Sequence, residues 1–179
     1  MSGKKNIVFG FFYLVLTASL GPYMIVEYFD PLQQAGQANA AAVTALTRAV
    51  EGGVTDQVAK AQSDAILALN RQLKAEEPID DIKGGPHTHG NLESLLNIAV
   101  GVVLGFLAVG RLWKEAISWL FIIGAVLHSG MLYLGVVFHQ GWAFAVLKTG
   151  AGPLMVLAGL FLAGLATAKG FHLRESDSR

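Results

Sequence analysis

Apolar residues are concentrated in four runs that polar residues separate. The runs extend over about 7–28, 92–110, 116–138 and 149–168. A helix that crosses a bilayer needs about 20 predominantly apolar residues, and each run is close to that length. The pattern predicts an all-α integral membrane protein built as a four-helix bundle. The first run follows two lysines, as a signal peptide would, but it lacks a small-x-small cleavage pattern, so we interpret it as a retained anchor.

The polar segment 29–85, between the first two runs, carries two helical patterns. Apolar residues recur at helical spacing in 32–50, and Glu51-Gly52-Gly53 interrupts them. Thr55 is a candidate cap for a second helix that ends at Pro78. The segment predicts a helical hairpin between helices 1 and 2, either as a structural cap and docking surface or as a ligand sensor. The predicted units are a first transmembrane helix (1–28), the hairpin (29–85), helices 2 to 4 (86–168) and a tail (169–179).

Basic residues near the run ends predict the orientation. They are Lys4, Lys5, Arg111, Lys114, Lys169 and Arg174. With four spans, all of them fall on one face, which the positive-inside rule makes cytoplasmic. Both termini and the tail would then be cytoplasmic in a multi-pass protein of a bacterial inner membrane, and the hairpin would be extracytoplasmic.

Composition supports the membrane class and excludes several chemistries. Hydrophobic residues make up 53% of the 179 and charged residues 15%, whereas soluble domains carry about 25% charged residues. The net charge of zero argues against a nucleic-acid partner. Without cysteine, the chain has no disulfide, iron–sulfur cluster, thiolate zinc site or covalent c-type haem. Small residues one turn apart, as in Gly101-x-x-x-Gly105, predict close helix contacts within the bundle or in a homo-oligomer or larger complex.

The candidate chemistry lies where the hairpin enters the second run. His89, Glu93 and Asn97 are four residues apart and would share one helical stripe, and His87 and Asn91 form a second pair. Polar side chains at a membrane entry are costly unless they bind a ligand or one another. The alternatives for the histidines are ligation or simple exposure to water and headgroups. Glu93 is either part of a ligand or proton-handling site or a structural partner of His89.

Two further residues would lie at the same outer level. His139 ends the third predicted helix and Glu27 ends the first. Neutral imidazoles and carboxylates are ligands for iron, copper and zinc. One scheme is therefore a non-haem metal site, copper or iron first, made by His87, His89, Glu93, His139 and Glu27.

The second scheme is a b-type haem between the second and third helices, with His89 or His128 as axial ligand. His128 precedes His139 by eleven residues, or about 16 Å along a straight α-helix. We therefore expect His128 near mid-membrane, too deep to share one haem with His89. Its alternative role is a core histidine that bonds a carbonyl or Ser129.

The segment Thr88-His89-Gly90-Asn91, followed by Asn97, resembles small four-helix bacterial membrane haem proteins that include styrene oxide isomerase. The resemblance implies that His89 ligates haem b and that Asn97 is its polar neighbour. The His-to-Asn spacing and the hairpin depart from that family, so we do not extend the resemblance to isomerase activity.

Three functions follow as hypotheses. The first is a haem or metal protein at the outer membrane face, in electron transfer or in a respiratory or oxidase complex. The second is a cofactor-free accessory subunit. The third is a membrane enzyme for a lipophilic substrate, which predicts a cavity beside Asn97. Catalytic residues and enzyme status are left open.

Overall fold

The computed structural model describes residues 3–170, and the predicted tail lies outside them from position 171 onward. The chain divides into two compact units. One combines the N-terminal helix with the chain from Gly84, and the other is Gly21–Lys83. Residues 3–170 are almost entirely helical and contain no β-strand. The predicted all-α class is therefore confirmed.

In residues 3–170, the first unit contains five α-helices. They are α1 (Lys4–Ala18), α4 (Thr88–Phe106), α5 (Arg111–Ala125), α6 (Gly141–Leu147) and α7 (Ala151–Gly170). Four of them overlap the apolar runs, whereas α6 lies between the third and fourth runs, where no helix was predicted. Single π-helical turns follow α5 at Val126–Gly130 and Tyr133–Val137, and one precedes α4 at Lys83–His87. The helical path breaks at Gly85, directly before Pro86, which is where the sequence predicts the second helix to begin.

Three helical segments of residues 3–170 are long and apolar enough to cross a membrane: Lys4–Gly52, Arg111–Val137 and Ala151–Gly170. The second predicted span, α4, is not among them. Its first half carries His89, Asn91, Glu93 and Asn97, which lower its mean hydropathy. The structure thus supports three of the four predicted spans by length and composition.

Within this unit α4 packs along α1, α5 packs against α7, and α4 also contacts α5. Small residues allow α1 and α4 to approach closely. A Cβ on Gly101 would lie 2.7 Å from the Gly3 carbonyl oxygen, and one on Gly10 would lie 2.7 Å from that of Ser94. Gly101 therefore makes the predicted close contact, whereas Gly105 faces open space. The apolar core comprises Val100, Leu104, Leu107, Ile117, Phe121, Val156 and Ala166.

The second unit contains most of α2 (Leu20–Gly52) and α3 (Thr55–Ile82). Gly53, at φ +71°, provides the left-handed turn between them. Asn39 Nδ2 donates to Gln72 Oε1 at 2.8 Å, which links the two helices as the predicted hairpin requires. Two details of the prediction were wrong. Pro78 lies within α3 rather than at its end, and Val54, not Thr55, occupies the cap position.

Candidate functional site

The site is built around Glu93, one turn into α4. Its side chain is almost completely buried, with 4% of the residue exposed. Oε1 lies 2.7 Å from Nδ1 of His128, and Oε2 accepts a hydrogen bond from the Ser129 hydroxyl. Both carboxylate oxygens therefore have a partner on the neighbouring helical segment, which offsets part of the cost of placing this carboxylate in an apolar environment.

The π-helical turn Val126–Gly130 explains how two consecutive residues reach one carboxylate. His128 and Ser129 both lie in this turn. On a regular α-helix, neighbouring side chains point about 100° apart. A π-turn alters this spacing locally, and such turns recur at functional sites. The turn is also packed tightly, because a Cβ on Gly152 of α7 would lie 2.6 Å from the His128 backbone nitrogen.

A tyrosine from α1 extends the network. The Tyr13 hydroxyl lies 2.8 Å from Ser129 Oγ, and both residues are buried. If Glu93 is ionised and accepts the single Ser129 hydroxyl proton, Tyr13 is the donor to Ser129. The ordered chain is therefore Tyr13 to Ser129 to Glu93, with His128 on the other carboxylate oxygen.

His89 lies directly beside this network. Its ring centroid is 4.7 Å from that of His128, and the ring planes are tilted by 56°. The expectation that His128 is too deep to approach His89 was wrong. It assumed a straight α-helix up to His139, whereas two π-helical turns interrupt this segment and His139 lies beyond them at φ +54°. A π-turn holds more residues than an α-turn, so the true separation along the axis is shorter.

Asn97, on the same stripe of α4, belongs to a second buried network. Its Oδ1 accepts from Asn6 Nδ2 at 2.9 Å, and its own Nδ2 donates to the Glu93 carbonyl oxygen at 2.9 Å. The Ser118 hydroxyl of α5 donates to the Asn6 side-chain oxygen. The three side chains are fully buried and connect α1, α4 and α5. The role of Asn97 as a cofactor neighbour stays a prediction, since protein atoms engage its amide.

His87 is held away from this pair of rings. Its Nδ1 lies 3.0 Å from the Thr17 carbonyl oxygen near the end of α1. The Thr17 hydroxyl also has Asn91 Oδ1 within 2.8 Å, so this second predicted pair contacts α1. Gly90 permits the contact, since a Cβ there would lie 2.3 Å from Thr17 Cγ2.

The other two members of the predicted metal site are His139 and Glu27. His139 is exposed, and within residues 3–170 no hydrogen bond or ring contact joins it to His89. Glu27 lies in the second unit, and its participation stays a prediction. Among the described residues, no group of three or more His, Asp or Glu side chains is arranged to hold a metal ion.

Sequence reasoning missed Tyr13, Asn6 and Ser118. Each is a polar residue within or at the end of an apolar run, which is itself a signal for an interhelical hydrogen bond. Their partners lie about 90 to 116 positions away in the chain, so spacing alone does not identify them.

Comparison of the chain with family models, with curated proteins and with solved structures found no significant match.

Proposed function

We propose that this chain is an integral membrane protein that holds a b-type haem or a transition-metal ion, copper or iron, through His89 and His128, and that it takes part in electron transfer. The observation that carries the proposal is the 4.7 Å separation of the two rings, one of which is fixed by a buried carboxylate. Two adjacent imidazoles in a largely apolar helical unit are costly unless they share a ligand or a proton.

The contact of His128 with Glu93 resembles the outer shell of metal sites. A ligating histidine usually donates its other ring N–H to a carboxylate, which fixes the tautomer and the ring orientation. An ionised Glu93 requires the His128 proton on Nδ1 and leaves Nε2 as a lone-pair donor. Ser129 and Tyr13 in turn hold the carboxylate. Glu93 is therefore proposed as a positioning residue rather than as a ligand.

His89 fits the role of the exchangeable ligand. It is partly buried, and no residue in the described part of the chain hydrogen-bonds to its ring nitrogens. The two ring centroids are 4.7 Å apart, so His89 and His128 together, or one of them with the other beside it, would hold the group.

Either group, when bound, would supply a one-electron redox couple. The protein's own contribution is then to fix the imidazoles, to limit the access of water and to place a hydroxyl-bonded carboxylate behind one ligand. Such hydrogen bonds tune the electronic properties of a site. The chain could transfer electrons alone, as a homo-oligomer, or as a subunit of a respiratory or oxidase complex.

The membrane arrangement is part of the proposal. We place α1, α4, the α5 segment with its π-turns, and α7 as a four-helix bundle in a bacterial inner membrane, with both termini cytoplasmic and the histidines near the outer face. Two of the polar residues that lower the hydropathy of α4 are bonded to neighbouring helical segments, Asn97 to Asn6 of α1 and Glu93 to Ser129 of the π-helical turn after α5. Satisfied polar groups of this kind are tolerated inside helical bundles.

The test is an absorption spectrum and a metal analysis of the same detergent-purified protein. The proposal expects either a Soret band or about one copper or iron per chain, lost in His89→Ala and retained in His139→Ala, which removes an exposed imidazole. A colourless, metal-free protein that is otherwise folded would contradict it. The cofactor-free accessory subunit would then be the better account.

One observation favours a second candidate function. Tyr13, Ser129, Glu93 and His128 form a continuous chain of hydroxyl, carboxylate and imidazole groups, which is the composition of a proton relay. The relay predicts proton movement in vesicles without any cofactor. The lipophilic-substrate enzyme is less favoured, because Asn97 is fully buried and engaged by protein atoms instead of facing a cavity.

A further inference from the structure

A separate cleft lies at the other end of α4 from the histidines. It is bounded by the start of α1, the second half of α4 and the start of α5, and its volume is about 780 Å³. Pockets that bind small organic ligands typically have volumes of about 300–1,000 Å³. The cleft shares no lining residue with the networks around Glu93 and Asn97.

The walls of the cleft are of two kinds. Ile7, Val8, Val102 and Val109 give it an apolar surface, and Gly105 leaves room beside α4. Three cationic side chains also line it: Lys4, Arg111 and Lys114. The lining residues that the structure describes include no acidic side chain.

Within residues 3–170, no carboxylate is paired with any of these three cations. Glu115, the acidic residue next to Lys114 in sequence, forms an ion pair with Lys5. Lys5 is also positioned over the Trp119 ring, 4.3 Å from its centroid. In the described part of the chain, neither Lys4, Arg111 nor Lys114 makes an ion pair or a side-chain hydrogen bond. Three cationic side chains beside an apolar cleft attract an anionic amphiphile.

We propose that this cleft binds one anionic phospholipid, with its phosphate between Lys4, Arg111 and Lys114 and the upper part of an acyl chain along Ile7 and Val102. Basic pockets between membrane helices on the cytoplasmic side bind anionic lipid headgroups. Arginine offers paired N–H donors that match phosphate geometry, and lysine adds charge. The apolar walls favour a lipid over a free phosphate ion, because a phosphate ion has no acyl chain to pack against them.

The test is native mass spectrometry of the full-length protein in detergent, titrated with phosphatidylglycerol or phosphatidylcholine. The proposal expects one phosphatidylglycerol to be retained per chain, at least about tenfold more tightly than phosphatidylcholine, because basic residues near the membrane surface favour anionic headgroups. The double variant Arg111→Gln, Lys114→Gln should lose this preference. The control Lys60→Gln, Lys148→Gln removes the same charge from exposed positions and should keep it.

A second variant is needed because removing Arg111 and Lys114 could change the membrane topology, and this alone could alter lipid binding. Gly105→Leu keeps every charge and adds a side chain where nothing lies within 4 Å of a Cβ. It should fill the cleft and lower phosphatidylglycerol retention without unfolding the protein. Inorganic phosphate at millimolar concentration should not displace the lipid.

Three results would overturn the proposal. Equal retention of the two lipids would show that the cations do not recognise the headgroup. Full retention by Gly105→Leu would show that the lipid binds elsewhere. Displacement by inorganic phosphate alone would indicate an anion site that does not use the apolar walls.

Discussion

Glu93 Oε1 and His128 Nδ1 lie 2.7 Å apart, although the residues are 35 positions apart and on different helical segments. This contact fixes the orientation of the imidazole that lies against His89. It also connects α4, which is not among the segments apolar enough to cross a membrane, to Arg111–Val137, which is one of them. The same interaction therefore holds α4 to this segment and orients one of the proposed ligands.

Removing the Glu93 carboxylate should destabilise the protein. Glu93→Ala leaves Ser129 and His128 buried or partly buried without their shared acceptor. Loss of a hydrogen-bonded charge partner of this kind costs about 2–3 kcal/mol. We expect a lower thermal unfolding midpoint by circular dichroism in detergent. Glu51→Ala, at an exposed position of α2, is the control and should leave the midpoint within about a degree. Equal midpoints for both variants would contradict a structural role for the carboxylate.

The Tyr13 hydroxyl should contribute less than Glu93, because it is hydrogen-bonded to Ser129 and not to the carboxylate itself. Tyr13→Phe retains the ring, which stacks on Phe9 at 5.1 Å, and removes only the hydroxyl. A loss of about 1 kcal/mol is expected for a single neutral hydrogen bond. Chemical unfolding of this variant is compared with Tyr23→Phe at an exposed position. A loss as large as that of Glu93→Ala would mean that Tyr13 acts on Glu93 more directly than the structure indicates.

Asn6 and Asn97 should act as an energetically coupled pair. Their side chains form a 2.9 Å hydrogen bond between α1 and α4, and both are fully buried. Hydrogen bonds between membrane helices contribute about 0.6 kcal/mol on average, with a maximum near 1.7. A double-mutant cycle of Asn6→Ala and Asn97→Ala should give a coupling energy in that range. The pair Asn6→Ala and Asn70→Ala, in which Asn70 is exposed on α3, should be additive. Additivity in the first cycle would exclude the proposed link between α1 and α4.

The close approach of α1 and α4 should depend on Gly90. Gly90→Ala would place a Cβ 2.3 Å from Thr17 Cγ2, a distance that requires one helix to move. Overpacking of this kind costs about 1–3 kcal/mol. Thr17→Ser removes that methyl group and keeps the hydroxyl bonded to Asn91, so it should restore part of the loss. Gly105→Ala, where the added Cβ meets nothing within 4 Å, is the matched control. No difference between Gly90→Ala and this control would contradict the packing.

The helices were largely predictable because hydrophobic runs of membrane length leave few alternatives. The third and fourth runs correspond to Arg111–Val137 and Ala151–Gly170. The interruption of the helical pattern at Gly53 also correctly predicted the turn between α2 and α3. The prediction that the helix ends at Pro78 was wrong, since α3 continues to Ile82. A proline can be accommodated within a helix when its neighbours tolerate the lost hydrogen bond.

The candidate site was only partly predictable. Spacing on one helix correctly placed His89, Glu93 and Asn97 on a single stripe of α4. It could not place His128, because the π-helical turns that bring it to Glu93 have no clear sequence signature and change the rise and the direction of the chain. Contacts such as Tyr13 with Ser129 depend on how separate helices pack, which helical periodicity does not encode.

Chemical rescue tests most directly whether His89 supplies an imidazole ligand to a bound redox group. His89→Gly protein is purified with and without free imidazole and its absorption spectrum and metal content are measured. The account predicts that the variant loses the absorption band and the metal, and that imidazole restores both. A His139→Gly control should keep both without imidazole. A His89→Gly variant that retains the full wild-type spectrum, or a folded wild-type protein with no chromophore and no metal, would contradict the account.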